Sequence, residues 1–389
     1  MPPFRSDRKG RGFEPAAQAQ VRRGRHFRGV REAAADVQED WRNRSLIALA
    51  AFGAALAGCA APTVDPYTPS TAPIVLASPA DAGVRDLRAK YREAVCRRIP
   101  SGGDACADVL LRLGGEGDAP PMRTTDDLAR RYRIAFVPGF LSECFEGLAR
   151  PFADAERALQ QRGFTVDYFQ VSGRGSTADN ARRLAGHFSA LDDDPRPIIV
   201  FAYSKGLPDV LGFVANFPLA AKRIAAVVAV AGAVNGSPLA DELLSPYREW
   251  VASFPLPGCD VGTGDELHDL RRDVRLAWWR ENGQAVKVPV FSLVAAPRPD
   301  QISPATLGTY RWLAKIDARN DGKLLWYDQI VPGSYLLGYA NADHWAIAIP
   351  VGEEVPALAF MFRDKLPRTA LVEAAIEIVA DTLGRSPAP

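Results

Sequence analysis

From residue 133 onward the chain alternates two hydrophobic patterns. Short continuous apolar runs occupy residues 134–137, 166–171, 198–202, 224–231, 288–294 and 324–331. Stretches with apolar residues at helical spacing, such as 151–162 and 181–191, lie between them. Continuous apolar runs of this length suit parallel strands covered on both faces. Their alternation with helical stretches predicts an α/β protein, a mostly parallel, doubly wound sheet flanked by helices. The last periodic stretch, 371–383, predicts a C-terminal helix packed on that sheet. Residues 235–287 form too long an interval for a simple connection between strands. The interval carries Tyr247, Trp250, Phe254, Leu256, Trp278 and Trp279, and is expected to form a cap between the strands near 231 and 288, hinged at Gly236-Ser237-Pro238.

One strand-to-helix junction carries candidate chemistry. The run 198–202 leads into Ala202-Tyr203-Ser204-Lys205-Gly206, and a helix-like segment follows. A small residue on each side of a Ser, at a sharp turn from strand to helix, lifts the hydroxyl clear of the sheet as a nucleophile. A general base must then be a His held in one tautomer by a carboxylate. The chain has four His. His26 lies in the leader, His187 in a helical stretch before the junction and His268 in a charged segment. His344, in Asn341-Ala342-Asp343-His344-Trp345, follows the last strand-like run and is the expected base. Three acids stand between Ser204 and His344 in suitable loops: Asp300, Asp321 and Asp328. Two backbone N–H groups should face a developing oxyanion. Lys205, after the nucleophile, supplies one. Phe140, after the early strand that ends in Val137-Pro138-Gly139, supplies the other. The loop Ser172-Gly173-Arg174-Gly175-Ser176 lacks the Lys-Ser or Lys-Thr of a phosphate cradle, and is read as bordering the site.

These residues resemble the α/β-hydrolase superfamily, and within it the lipase- and esterase-like enzymes. The resemblance covers residue 133 to the C-terminus and rests on Val137-Pro138-Gly139-Phe140, the Ser204 pentad, Asn320-Asp321-Gly322, Pro332-Gly333 and Asp343-His344. Lipases of this group often carry an Asn-Asp-Gly acid site, then Pro-Gly, then Asp-His. The resemblance therefore favours Asp321 as the acid. The pentad departs from the family at Ala202, where Gly is usual, and the early loop reads Pro-Gly where His-Gly is commoner. The implied activity is hydrolysis of small-molecule or lipid carboxylic esters through an acyl-enzyme. The competing readings are a non-catalytic envelope lipoprotein on this scaffold, and a thioesterase or peptidase with the same residues. No cofactor and no metal are implied.

The N-terminal region changes the picture of location. Residues 45–58 form a short apolar run after Arg42 and Arg44, flanked like a signal peptide and too short for a comfortable span. Leu56-Ala57-Gly58-Cys59 resembles the bacterial lipobox, which implies lipidation of Cys59 and a membrane attachment through that lipid. Ala60 rather than Asp after the Cys implies the outer membrane by the same resemblance. The expected organisation is a leader and signal peptide at 1–58, a tether rich in Pro, Ala, Thr and Ser at 59–83, a small helical segment at 84–130, and the hydrolase domain at 131–389 with its cap at 235–287. Roughly 330 residues after the leader suffice for one large core. A net charge of +1 implies no nucleic-acid partner. With Cys59 lipidated, Cys96, Cys106, Cys144 and Cys259 remain, an even number that suggests two disulfides in an exported chain. Three pairings are possible; Cys96–Cys106 with Cys144–Cys259 is preferred because the first pair is close in sequence. The absence of a Cys-x-x-Cys disfavours zinc.

Overall fold

The apolar runs assemble into one sheet. A computed structural model describes residues 83–99, 106–122, 127–145, 149–255 and 258–384. Its strands are β1 (Arg85–Asp86), β2 (Leu110–Leu111), β3 (Arg133–Val137), β4 (Val166–Tyr168), β5 (Ile198–Tyr203), β6 (Ile224–Val230), β7 (Val290–Ala295) and β8 (Tyr335–Ala340). They lie in the order β1-β8-β7-β6-β5-β3-β4, with β2 also on β8. β2 on β8 is antiparallel and the other pairings are parallel. Among the helices around the sheet are α1 (Arg88–Cys96), α2 (Ala153–Gln161), α3 (Thr177–Ser189), α4 (Gly206–Asn216), α5 (Pro238–Trp250), α6 (Asp265–His268), α7 (Arg272–Asn282) and α8 (Arg368–Leu383).

The two-residue period of a strand explains why the central runs are apolar throughout. β3, β5 and β7 are buried at every position. Ile199, Phe201 and Tyr203 of β5 join a core with Tyr91 of α1, Leu159 of α2 and Ile376 of α8. Ile198, Val200 and Ala202 of the same strand join a second core with Leu184 of α3 and Val210 and Phe213 of α4. β3, β5, β6 and β7 each feed both cores, and each large side chain so buried contributes about 1.5–3 kcal/mol. The buried Arg368 of α8 is fully paired: it donates to Asp154 at 2.7 Å, to Glu353 at 2.8 Å and to the carbonyls of Ala346 and Asp364.

Two expectations are corrected. The run 324–331 is not a strand. Trp326–Gln329 is a short 3-10 helix, and the last strand is Tyr335–Ala340, beyond the turn at Gly333. The cause is local. The Asp321 carboxylate captures the N–H groups of Lys323 and Leu324. The Gln329 amide fills the edge of β7 by bonding both N–H and C=O of Ala295. The segment before 131 is also more than helical. It supplies α1, whose Tyr91 hydroxyl donates to the Leu371 carbonyl at 2.9 Å, and two short strands that extend the sheet at β8.

The insertion between β6 and β7 forms α5, α6 and α7. Cys144 and Cys259 are bridged, which ties this insertion to the turn after β3; Cys96 and Cys106 are bridged as well. No helix among the described residues is long and apolar enough to cross a membrane. Cys59 and the apolar run before it lie outside the described residues.

Candidate active site

Ser204 follows β5 and begins the turn into α4 with φ at 53°. This left-handed backbone is rare for a residue with a side chain. Its neighbours make the turn feasible. A methyl group on Gly206 would lie 2.4 Å from the Pro138 carbonyl oxygen, and one on Gly139 would lie 2.8 Å from the Ser204 Cβ. The loop after β3 therefore passes directly over the turn. Ala202, where the family usually has Gly, fits with its methyl buried in the second core.

Two loops at the carboxyl ends of the strands complete the arrangement, as expected for a parallel sheet. His344 Nε2 lies 2.8 Å from Ser204 Oγ, and its Nδ1 lies 2.7 Å from Asp321 Oδ2. The other Asp321 oxygen accepts from the N–H of Lys323 at 2.8 Å and of Leu324 at 2.6 Å. The His344 N–H donates to the Asp321 carbonyl at 2.9 Å, so backbone and ring both lock the two loops together. The Tyr203 hydroxyl donates to the His344 carbonyl at 2.7 Å. Burial raises the Tyr203 pKa well above a normal phenol, reinforced by Asp321 and Asp343, so it stays a neutral donor. Ser204, His344 and Asp321 are 8%, 4% and 0% exposed, which leaves the serine as the member of the three most open to solvent.

Among the described residues, the N–H groups of Phe140 and Lys205 have no backbone acceptor. They flank Ser204 from the two loops that meet there. The Lys205 side chain turns into the core and pairs with Asp209 at 2.8 and 3.0 Å, with Asn180 also donating to Asp209. Only its backbone faces the site. The Phe140 ring packs against Tyr247 of α5 with centroids 5.8 Å apart. Gly173 lies under the Phe140 loop. Its carbonyl accepts from Leu141 N–H at 3.0 Å, and a side chain there would meet the Leu141 backbone at 2.7 Å. Arg174 turns toward the insertion and donates to the carbonyls of Val251, Phe254 and Asp260.

The other sequence candidates fall elsewhere. Asp300 is exposed and accepts from the Gln301 side chain. Asp328 is buried but faces Arg272 of α7, with both contacts at 3.1 Å. His187 bonds the Gln170 carbonyl, and His268 is half-buried beside Asp269. Asp343, part of the Asp343-His344 motif, was given no role of its own from the sequence. Its carboxylate accepts from the N–H groups of Ser303, Trp345 and Ala346 and from the Thr306 hydroxyl, and so shapes the loop that carries His344. The only sequence signal was its place beside His344.

The chain is similar to a solved metagenomic carboxyl esterase, MGS0156, with a TM-score of 0.73 and 33% identity, over 80% of this chain and 97% of that one. The mature lipase BlEst2 of Bacillus licheniformis aligns at 20% identity and a TM-score of 0.47, over 62% of this chain and 94% of that one. No protein-family model and no curated protein matches the chain.

Asp328 gives a testable pH dependence. Burial pushes its carboxyl up to about 7 despite Arg272. An unfolded Asp titrates near ~3.9, so between these values the folded state holds the proton and the unfolded state does not. Its contribution to stability is therefore full below the unfolded pKa and is lost as pH rises toward 7. Asp328→Asn, neutral at every pH, should flatten the fall in melting temperature between pH 5 and 8 and melt above wild type at pH 8. Thermal melts across that range check this; an unchanged slope in the variant would assign the titration to another group.

Proposed function

The chain belongs to the α/β-hydrolase family, and from that premise we propose that it is a serine hydrolase of carboxylic esters in which Ser204, His344 and Asp321 form the catalytic triad. The observation that carries this reading is the unbroken line of hydrogen bonds from Asp321 through His344 to Ser204, with the serine raised on a left-handed turn. The similarity to a carboxyl esterase supports the choice of ester.

In this reading the steps run as a serine hydrolysis. His344 Nε2 takes the proton of Ser204 Oγ as that oxygen bonds to the ester carbonyl carbon. Asp321 keeps the His344 Nδ1 proton in place and offsets the imidazolium charge. The carbonyl oxygen, now an alkoxide, is met by the N–H groups of Phe140 and Lys205. His344 then protonates the leaving oxygen, the alcohol departs, and an acyl group remains on Ser204. Water, deprotonated by His344, attacks the acyl carbon, and the carboxylic acid is released as Ser204 regains its proton. Helices α5–α7 form the cap, and Phe140 and Tyr247 give it an apolar wall suited to an apolar acyl or alcohol part. By its lipobox-like sequence the protein is anchored in the cell envelope, at the outer membrane, through lipid on Cys59.

Ser204→Ala should lose at least about 10⁴-fold in kcat on p-nitrophenyl butyrate with the fold retained, since only a hydroxyl is removed. Asp321→Asn should cost about 10⁴-fold by presenting the wrong His tautomer. Asp300→Asn should keep near-normal rates. Steady-state kinetics with circular dichroism decide, and a large loss in Asp300→Asn with an active Asp321→Asn would reassign the acid.

Processing gives a separate expectation. The mature protein should begin at an acylated Cys59 and fractionate with membranes, and Cys59→Ser should remain unprocessed. Mass spectrometry of the N-terminal peptide checks this. A mature terminus at another residue would remove the lipid anchor from the account.

A further inference from the structure

Lys323 stands two residues after Asp321 and has no role in the steps above. It is half-buried, and its ammonium lies 6.0 Å from the centroid of the Trp345 ring. Among the described residues the ammonium has neither an ion pair nor a hydrogen bond. The two fully buried lysines among those residues, Lys90 and Lys205, each pair with an aspartate, Asp381 and Asp209. The acids that act on Lys323 are already occupied. Asp321 is taken by His344 and by the N–H groups of Lys323 and Leu324. Asp343 accepts four hydrogen bonds of its own. Burial lowers the lysine's pKa although both carboxylates pull it up. A desolvated charge without a partner is costly, and a ring at the limit of cation–π range offsets little of that cost.

The position of this charge is also fixed. The Lys323 carbonyl accepts from the hydroxyl of Ser237, the N-cap of α5, and Leu324 packs in the cluster that includes Phe140 and Tyr247. Trp345 follows His344 directly and is stacked on Phe362 with centroids 5.3 Å apart. The ammonium therefore lies between the acid loop and the His loop, beside the Trp345 ring. The leaving alcohol takes its proton from His344, on the second of those loops.

We propose that Lys323 is a specificity-determining residue that binds an anionic substituent, a carboxylate or phosphate, on the alcohol half of the ester. The inference rests on the triad reading above. An anion seated there gains a charge-assisted hydrogen bond in a site partly shielded from water. The Trp345 face would pack beside the same alcohol group.

The test compares butyrate esters of 3-hydroxybenzoate and 3-hydroxybenzamide, which differ by one negative charge on the leaving group. Lys323→Met should lower the ratio of kcat/KM for the anionic over the neutral ester about fivefold to tenfold, mainly through KM, the scale of a typical net hydrogen bond. Lys323→Arg should restore most of that ratio. For charge on the acyl side, p-nitrophenyl hemisuccinate against p-nitrophenyl butyrate, the ratio should not change. An unchanged alcohol-side ratio in Lys323→Met, or a change confined to the acyl-side pair, would overturn the proposal. A binding measurement separates it from the triad reading. Calorimetry of 3-hydroxybenzoate with Ser204→Ala protein should show binding that weakens about fivefold when Lys323→Met is added. Phenyl phosphate in the same titration distinguishes phosphate from carboxylate. If wild type cleaves neither ester, the triad reading fails while this titration still decides Lys323; equal affinity with and without Lys323 would refute the site.

Discussion

Ser204 is held at φ 53°, in a backbone region that costs a residue with a side chain about 1–3 kcal/mol, and much of the surrounding structure exists to keep it there. The turn is enforced from both sides. β5 is hydrogen-bonded between β3 and β6 and buried at every residue, so its end cannot shift. The Ser204 carbonyl accepts from Ala233, and its N–H donates to Val230, which ties the turn to the end of β6. The Pro138 carbonyl lies where any side chain on Gly206 would be. Two further residues with side chains adopt positive φ nearby in the chain connections that follow β3 and β6, Leu141 at 59° and Ala231 at 44°. Strain is concentrated where three strands end, and a sheet with two full cores can bear it.

The partners of Ser204 come from loops far away in sequence, and each loop is built on a carboxylate that serves backbone N–H groups. Asp321 closes its own turn with one oxygen and orients His344 with the other. Asp343 does the same for the His344 loop, and Arg368 from α8 holds the carbonyl of Ala346 just beyond it. The geometry at the serine therefore depends on α8 and on the polar groups under each loop as well as on the three side chains themselves. The insertion is tied to the same region by the Cys144–Cys259 bridge, by Arg174, and by the Ser237 hydroxyl on the Lys323 carbonyl.

The sheet's centre was legible because burial on both faces leaves a signature that needs no partner to read: β3, β5, β6 and β7 are nearly uninterrupted apolar runs. The pentad around Ser204 was legible for the same local reason, since the turn demands small residues at fixed places. The edge at β8 was not. Residues 324–331 are as apolar as a strand, yet Leu324 and Leu325 fill two different clusters and Gln329 caps β7 with its side chain. Hydrophobicity there reports burial and says nothing of extension. The choice among Asp300, Asp321 and Asp328 was likewise open to the residues alone, because all three occupy similar loops. In space Asp328 turns to Arg272 and Asp321 to His344. Lys323 was invisible for a related reason, since an unpaired charge is defined by what fails to stand beside it.

The central claim is that one serine, activated by one histidine, does the chemistry. The most direct measurement is to treat the intact protein with a fluorophosphonate probe and map the adduct by peptide mass spectrometry. The account predicts a single adduct on the peptide containing Ser204, and its loss when His344 is replaced by Ala. An adduct on a different serine, or full reactivity at Ser204 without His344, would contradict it.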